Sequence, residues 1–120
     1  MKITIKNLLL RTIVGLNDWE RTKKQDVLLT LIINVADEKA CISDNINDSL
    51  DYKTLTKKII KEVEREDFFL IEKLAGFVMT IIFENEKVTY ASVEVGKPHA
   101  LRFSESVSIL LERTREQSHH

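Results

Sequence analysis

The sequence predicts an α+β domain in the order ββααββ, an antiparallel four-stranded sheet with two helices on one of its faces. Three observations lead there. Alternating apolar and polar residues fill two runs near each end of the chain, at about residues 2–14 and 27–35 and again at 88–97 and 107–113. Between the two pairs the period changes to that of a helix, at about residues 51–66 and 71–83. Only three glycines and one proline occur in 120 residues, so no flexible linker divides the chain. It reads as one domain over residues 1–115 with a polar tail at 116–120.

In the first strand Ile3 and Ile5 alternate with polar neighbours, after which Leu8, Leu10, Thr12 and Val14 carry the pattern. The phase shifts at Asn7, which predicts a β-bulge, and Gly15 ends the strand. Residues 16–24 are polar and charged and read as a loop. In the second strand Val27, Leu29, Leu31, Ile33 and Val35 share one face, while Leu28 and Ile32 are apolar on the other. A strand apolar on both faces is covered on both. Two helices cover one face, so the second cover is expected from another subunit.

Residues 44–49 carry turn and cap residue types. The first helix puts Leu55, Ile59, Ile60 and Val63 on one face and Lys57, Lys58, Lys61 and Glu62 on the other. The second turns Leu74, Ala75, Val78, Ile81 and Ile82 inward. Gly76 costs that helix about 1 kcal/mol against alanine, which close packing against a neighbour would explain. Val107, Ile109 and Leu111 alternate in the last strand.

Lysine and arginine number 18 against 19 aspartates and glutamates, a net charge of -1. That balance offers no general attraction for nucleic acid or an anionic membrane. The one cysteine, Cys41, cannot form an internal disulfide, which suits a reducing compartment. With no apolar run of membrane-spanning length and no signal-like start, a cytoplasmic protein is expected. His119 and His120 close the tail like the remnant of a purification tag and are left out of the site.

Lys97 is the most informative residue. On its strand it shares a face with Thr89, Ala91, Val93 and Val95, so it prolongs an apolar stripe. An ammonium group there is costly unless it is paired or gives up its proton. It is therefore a candidate proton carrier. The bland alternative is a stem lying on the stripe with its charged head in water.

Four segments surround that residue in chain order: Gly15-Leu16-Asn17-Asp18-Trp19-Glu20 with Gln25, then Leu50-Asp51-Tyr52, then Leu70-Ile71-Glu72-Lys73-Leu74-Ala75, then Val95-Gly96-Lys97-Pro98. Together they resemble the dihydroneopterin aldolase family. In turn they are similar to its glycine-to-glutamate loop, its tyrosine at the start of the first helix, its pterin-anchoring glutamate at the start of the second, and its lysine ending the third strand. No one segment is specific, but the four in register span nearly the whole chain. Within the family, Lys97-Pro98-His99-Ala100-Leu101-Arg102-Phe103 and the five residues after it resemble the dihydroneopterin triphosphate epimerase branch. So do Leu10-Arg11-Thr12 and Asn45-Ile46-Asn47-Asp48, whereas Asp18-Trp19-Glu20 looks more like the aldolases themselves.

The resemblance implies a tunnelling fold (T-fold), in which subunits pool their sheets into an oligomeric barrel, as a tetramer or an octamer. It implies active sites between neighbouring subunits, a small-molecule pterin substrate, and neither metal nor other cofactor. By the same likeness Glu72 accepts two N–H bonds from the amino-pyrimidinone edge of the pterin, while the backbone N–H of Ile71 or Glu72 meets a ring acceptor. Tyr52 then comes from the adjoining subunit and lies over the pterin near the side-chain hydroxyls, while Asp51 and Gln25 join Glu72 and Ile71 as substrate-binding residues. Glu20 helps to place Lys97 and a water, and Gln25 supports the loop.

The implied reaction is retro-aldol cleavage between C1′ and C2′ of 7,8-dihydroneopterin or its triphosphate. The ring's conjugated C=N bond takes up the electrons, so neither a Schiff base nor a metal is required. Lys97 carries the proton, directly or through water. Protonation of C1′ yields 6-hydroxymethyl-7,8-dihydropterin and glycolaldehyde, the aldolase output. Re-addition of the aldehyde through its other face inverts C2′, the epimerase output. A triphosphate asks for basic contacts, for which Arg102, or Arg11 and Lys53, are the candidates.

On residue type alone the same positions have plainer readings. Glu72 is a carboxylate favoured by a helix N-terminus, Tyr52 an aromatic at a helix start, and Glu20 and Gln25 solvated loop groups. Zinc-dependent pterin enzymes need several histidine or cysteine ligands, and only Cys41 and His99 stand outside the tail. An RNA-binding sheet would want basic and aromatic residues, and 7% aromatic content argues against it. A non-catalytic pterin-binding oligomer is the remaining alternative of a different class. The presence of Glu20, Tyr52, Glu72 and Lys97 together argues for the enzyme.

Overall fold

In a computed structural model of the chain, β1 (Lys2–Val14) runs antiparallel to β2 (Gln25–Val35). β2 pairs in the same sense with β4 (Val88–Pro98), and β4 with β5 (Ser106–Thr114). The structure describes residues 1–98 and 100–116, so the expectations that touch His99, His119 and His120 lie outside the described residues.

The sheet has five strands rather than the four expected. β3 (Asp67–Phe68) pairs in parallel with Ile13 and Val14 at the outer edge of β1, giving the order β3-β1-β2-β4-β5. Two residues cannot display an alternation, so this strand has no period to read in the sequence. It forms where the connection between the two long helices passes beside the end of β1.

The bulge expected at Asn7 is present. The register shifts between Ile5 and Leu8, and Asn7 takes a φ of 52°. The shift turns Leu8, Leu10, Thr12 and Val14 toward the helices. The expected loop after β1 contains a 3₁₀ turn at Asp18–Arg21. The turn region before the first long helix is more structured than expected, with a short α1 (Ala40–Ser43) and a 3₁₀ turn at Ile46–Asp48.

α2 (Tyr52–Arg65) is capped by Asp51, whose carboxylate accepts the Thr54 N–H at 3.1 Å. At its far end the buried Thr12 hydroxyl lies 3.1 Å from the Val63 and Glu66 carbonyls, which ties the helix to β1. α3 (Ile71–Phe83) follows after five residues and returns antiparallel, so that Lys58 in the middle of α2 pairs with Glu84 just past the end of α3 at 2.6 Å. Between helices and sheet, Leu29, Leu31, Ile33, Val93 and Val95 meet Ile59, Val63, Leu74, Val78 and Ile82, all fully buried. Truncating Ile59 or Leu74 to alanine would cost about 2–5 kcal/mol.

Gly76 is not closely packed. A Cβ built there meets nothing within 4 Å, and the residue borders a surface groove with Lys58, Lys73 and Thr80. Among the described residues no neighbour demands a glycine there. On the sheet face away from the helices, Leu28 and Ile32 are half-buried while Leu9 and Leu110 stay more than half exposed. Among the described residues no helix is long and apolar enough to cross a membrane.

Candidate active site

Gly15 leaves β1 with a φ of 139°, a conformation that L side chains rarely adopt. The space its missing side chain leaves is filled by Glu20, since a Cβ on Gly15 would collide with Cδ and both carboxylate oxygens. The 3₁₀ turn folds Glu20 back to this position. Its N–H donates to the Asn17 carbonyl at 2.9 Å, while the Asn17 backbone N–H and Nδ2 donate to Glu20 Oε1 at 3.2 and 2.8 Å.

The other oxygen, Oε2, receives Gln25 Nε2 at 3.2 Å, and the same amide group bonds the Val14 carbonyl at 2.9 Å. Oε2 also receives Lys97 Nζ, which arrives from the end of β4. Glu20 is only 4% exposed. Burial by itself would raise its pKa, but the hydrogen bonds from Lys97, Gln25 and the Asn17 backbone and the Lys97 charge outweigh burial and hold it at about 2. Lys97 therefore faces a fixed carboxylate, and its apolar stem continues the stripe of Val93 and Val95.

This ion pair lines a cleft of about 350 Å³. Leu16, Phe69, Leu70 and Ile71 supply apolar walls, and Glu72 lines the same cleft. Glu72 is exposed in the first turn of α3. Leu70 precedes that turn in an extended conformation and its side chain does not cap it, so among the described residues the helix start offers N–H groups that a ligand could bond. A cleft with apolar walls and a few charged groups among them suits a flat, partly polar molecule.

Lys97, Glu20, Gln25, Ile71 and Glu72 are thus brought together within one chain. Tyr52 and Asp51 are not. They sit at the start of α2, beside the end of α3, whereas Glu72 begins α3; a 14-residue helix separates the two ends by roughly 20 Å. Tyr52 is 52% exposed, and Lys53 follows it at the same end. Arg11 lies on the exposed side of β1, where it pairs with Asp26 at 3.6 Å and donates to the Lys24 carbonyl. The Arg102 guanidinium stacks 5.4 Å from the Phe103 ring centroid in the loop that follows Ala100.

Two residues not singled out from the sequence also shape the site. Asn17 holds the Glu20 carboxylate, and the spacing Asn17-x-x-Glu20 is a legible capping-box signal. Arg21 donates through Nη1 to the Phe68 carbonyl at 2.7 Å and to the Gly15 carbonyl at 3.2 Å, and its guanidinium lies 4.0 Å from the Phe69 ring centroid. Its hydrogen-bond partners are backbone carbonyls, which leave no mark in a sequence. Among the described residues no group of three or more His, Cys, Asp or Glu is placed to hold a metal ion.

The chain matches the family described as FolB: Dihydroneopterin aldolase over residues 3–112 and belongs to it. It is 47% identical over 109 residues to the dihydroneopterin triphosphate 2′-epimerase of Escherichia coli K12, covering 91% of each chain. With the protein of the same name from Pseudomonas aeruginosa PAO1 it shares 46% over 110 residues, 92% of this chain and 89% of that one. The crystal structure of E. coli dihydroneopterin aldolase in complex with neopterin superposes with a TM-score of 0.89 at 26% identity, covering 94% of this chain and 98% of the other. The family expected from the four segments is the family found, and the α+β fold agrees with it.

Proposed function

We propose that the protein is an enzyme that breaks and remakes the C1′–C2′ bond in the side chain of a 7,8-dihydroneopterin, with the C2′ epimer of the triphosphate as its main product. The buried Lys97–Glu20 pair, opening on the same cleft as Glu72, is the observation that carries this reading. The higher identity with two triphosphate epimerases than with the aldolase supports epimerisation as the principal output. The neopterin bound to the related aldolase supports a pterin as the ligand class.

In this reading the two oxygens of Glu72 accept the two N–H donors of the amino-pyrimidinone edge, and the backbone N–H of Ile71 or Glu72 meets a ring acceptor. An anchor at that end directs the side chain toward Lys97. Lys97, held by Glu20 and with Gln25 behind it, takes the 2′-hydroxyl proton directly or through water. The C1′–C2′ bond breaks, C2′ becomes the aldehyde carbon, and the electron pair passes into the ring C=N bond. Return of the pair to the opposite face of the aldehyde restores the bond with C2′ inverted. Protonation of C1′ instead releases 6-hydroxymethyl-7,8-dihydropterin and the glycolaldehyde fragment.

Tyr52, with Asp51 holding its helix start, completes the site from a neighbouring subunit, because within one chain it lies at the far end of the helices. The apolar outer face of β2 supports the same oligomer, a T-fold barrel of four or eight chains. Arg102, or Arg11 and Lys53, are the proposed triphosphate contacts. Residues 1–115 form the single catalytic domain, acting in the cytoplasm. Asp18-Trp19-Glu20 favours a second reading, in which cleavage is the main activity.

Incubation with 7,8-dihydroneopterin and with its triphosphate, followed by separation of the C2′ epimers from 6-hydroxymethyl-7,8-dihydropterin, tests the reading. Epimerised triphosphate is expected. Predominant cleavage product would favour the aldolase reading, and two unchanged substrates would leave only a pterin-binding module.

A further inference from the structure

We propose that Arg21 is a positioning residue that fixes the spacing between the Lys97–Glu20 pair and Glu72 in the cleft and so sets how often the cleaved aldehyde is recaptured. The inference rests on the reaction proposed above.

The carboxylates of Glu20 and Glu72, which line the cleft, are carried by separate pieces of chain. Glu20 belongs to the turn after β1, and Glu72 follows the segment Phe68-Phe69-Leu70. Both pieces present exposed apolar side chains, Leu16 and Trp19 on the first and Phe69 and Leu70 on the second, each at least 46% exposed. Arg21 joins them. One guanidinium nitrogen bonds the Phe68 carbonyl at 2.7 Å and the Gly15 carbonyl at 3.2 Å, while its plane covers Phe69 at 4.0 Å. The Gly15 N–H bonds the same Phe68 carbonyl at 3.0 Å, and Gly15 is the residue against which the Glu20 carboxylate rests.

Phe68 in turn is buried and meets Phe77 of α3 edge-on, with ring centroids 5.5 Å apart. The contacts therefore run from the Lys97–Glu20 pair through Gly15 and Arg21 to Phe68 and the helix that bears Glu72. Although Arg21 follows Glu20 directly, its donors go to carbonyls and not to the carboxylate. Its role is geometric. A planar guanidinium can bond and stack at once, which an ammonium cannot.

A substrate cleaved between anchor and proton carrier has two fates, and loosening the spacing favours escape of the aldehyde over re-addition. The ratio of cleaved to epimerised product reads this directly, because it does not depend on how much of the protein is folded. Arg21→Ala should raise that ratio severalfold on dihydroneopterin triphosphate and lower turnover about 10- to 100-fold. Arg21→Lys, which keeps a donor but loses the stacked plane, should fall between it and the wild type and serves if the alanine variant does not fold. A wild-type ratio and rate in both variants would overturn the inference alone. A wild-type protein that transforms neither pterin would overturn the reaction itself, and the inference with it.

Discussion

The α-carbon of Gly15 rests against the carboxylate of Glu20, so that the missing side chain of one residue is the pocket of the other. Five residues of chain thereby turn a surface glutamate into a buried partner for Lys97. Replacing Gly15 with alanine should strain the backbone by about 1–3 kcal/mol and push Glu20 off Lys97. Denaturant unfolding and turnover should both suffer. Wild-type values for both would mean that the carboxylate does not occupy that pocket.

The depressed pKa of Glu20 gives stability a definite pH dependence. Its ordinary value is 4.5 and the folded protein holds it at about 2. As pH falls the unfolded chain binds the proton first, so the stabilisation is complete above about pH 5 and is lost progressively toward pH 2. Glu20→Gln lacks this component. The difference in unfolding free energy between wild type and variant should shrink over that window, and a difference independent of pH would contradict the assignment.

Glu72 is exposed, so its removal should spare the fold. Glu72→Ala should weaken neopterin binding by at least about tenfold, the loss of one charged hydrogen bond or more, with an unchanged melting temperature. Titration by calorimetry or fluorescence measures it. Wild-type affinity in the variant would move the anchor elsewhere.

Tyr52 starts α2, at the far end of the helices from the cleft that Lys97 of β4 and Glu72 of α3 line, and sharing one site then needs two copies. Tyr52→Ala and Lys97→Ala chains should each be inactive, and refolding them together should restore part of the activity through mixed interfaces. A mixture as inactive as its components would confine the site to one chain.

Much of this was legible in the sequence because periodicity survives wherever a whole face is buried. β1 with its bulge, β2, β4 and α3 are where the pattern sets them, and α3 matches at both ends. β3 escaped because two residues have no period, and Arg21 because its hydrogen bonds end on backbone. The glycine at position 76 misled for the opposite reason: helix propensity registers its cost, but an open groove leaves nothing to offset it within the chain. Lys97 was legible as an anomaly, a charge closing an apolar stripe, and its partner Glu20 lies 77 residues away. Only the family resemblance linked the two in advance.

The most direct test is turnover of dihydroneopterin triphosphate by Lys97→Ala, run beside neopterin binding on the same preparation. Removal of the proton carrier should lower turnover by about 10²- to 10⁴-fold while affinity for the pterin largely survives. Turnover at the wild-type rate would contradict the assignment of Lys97.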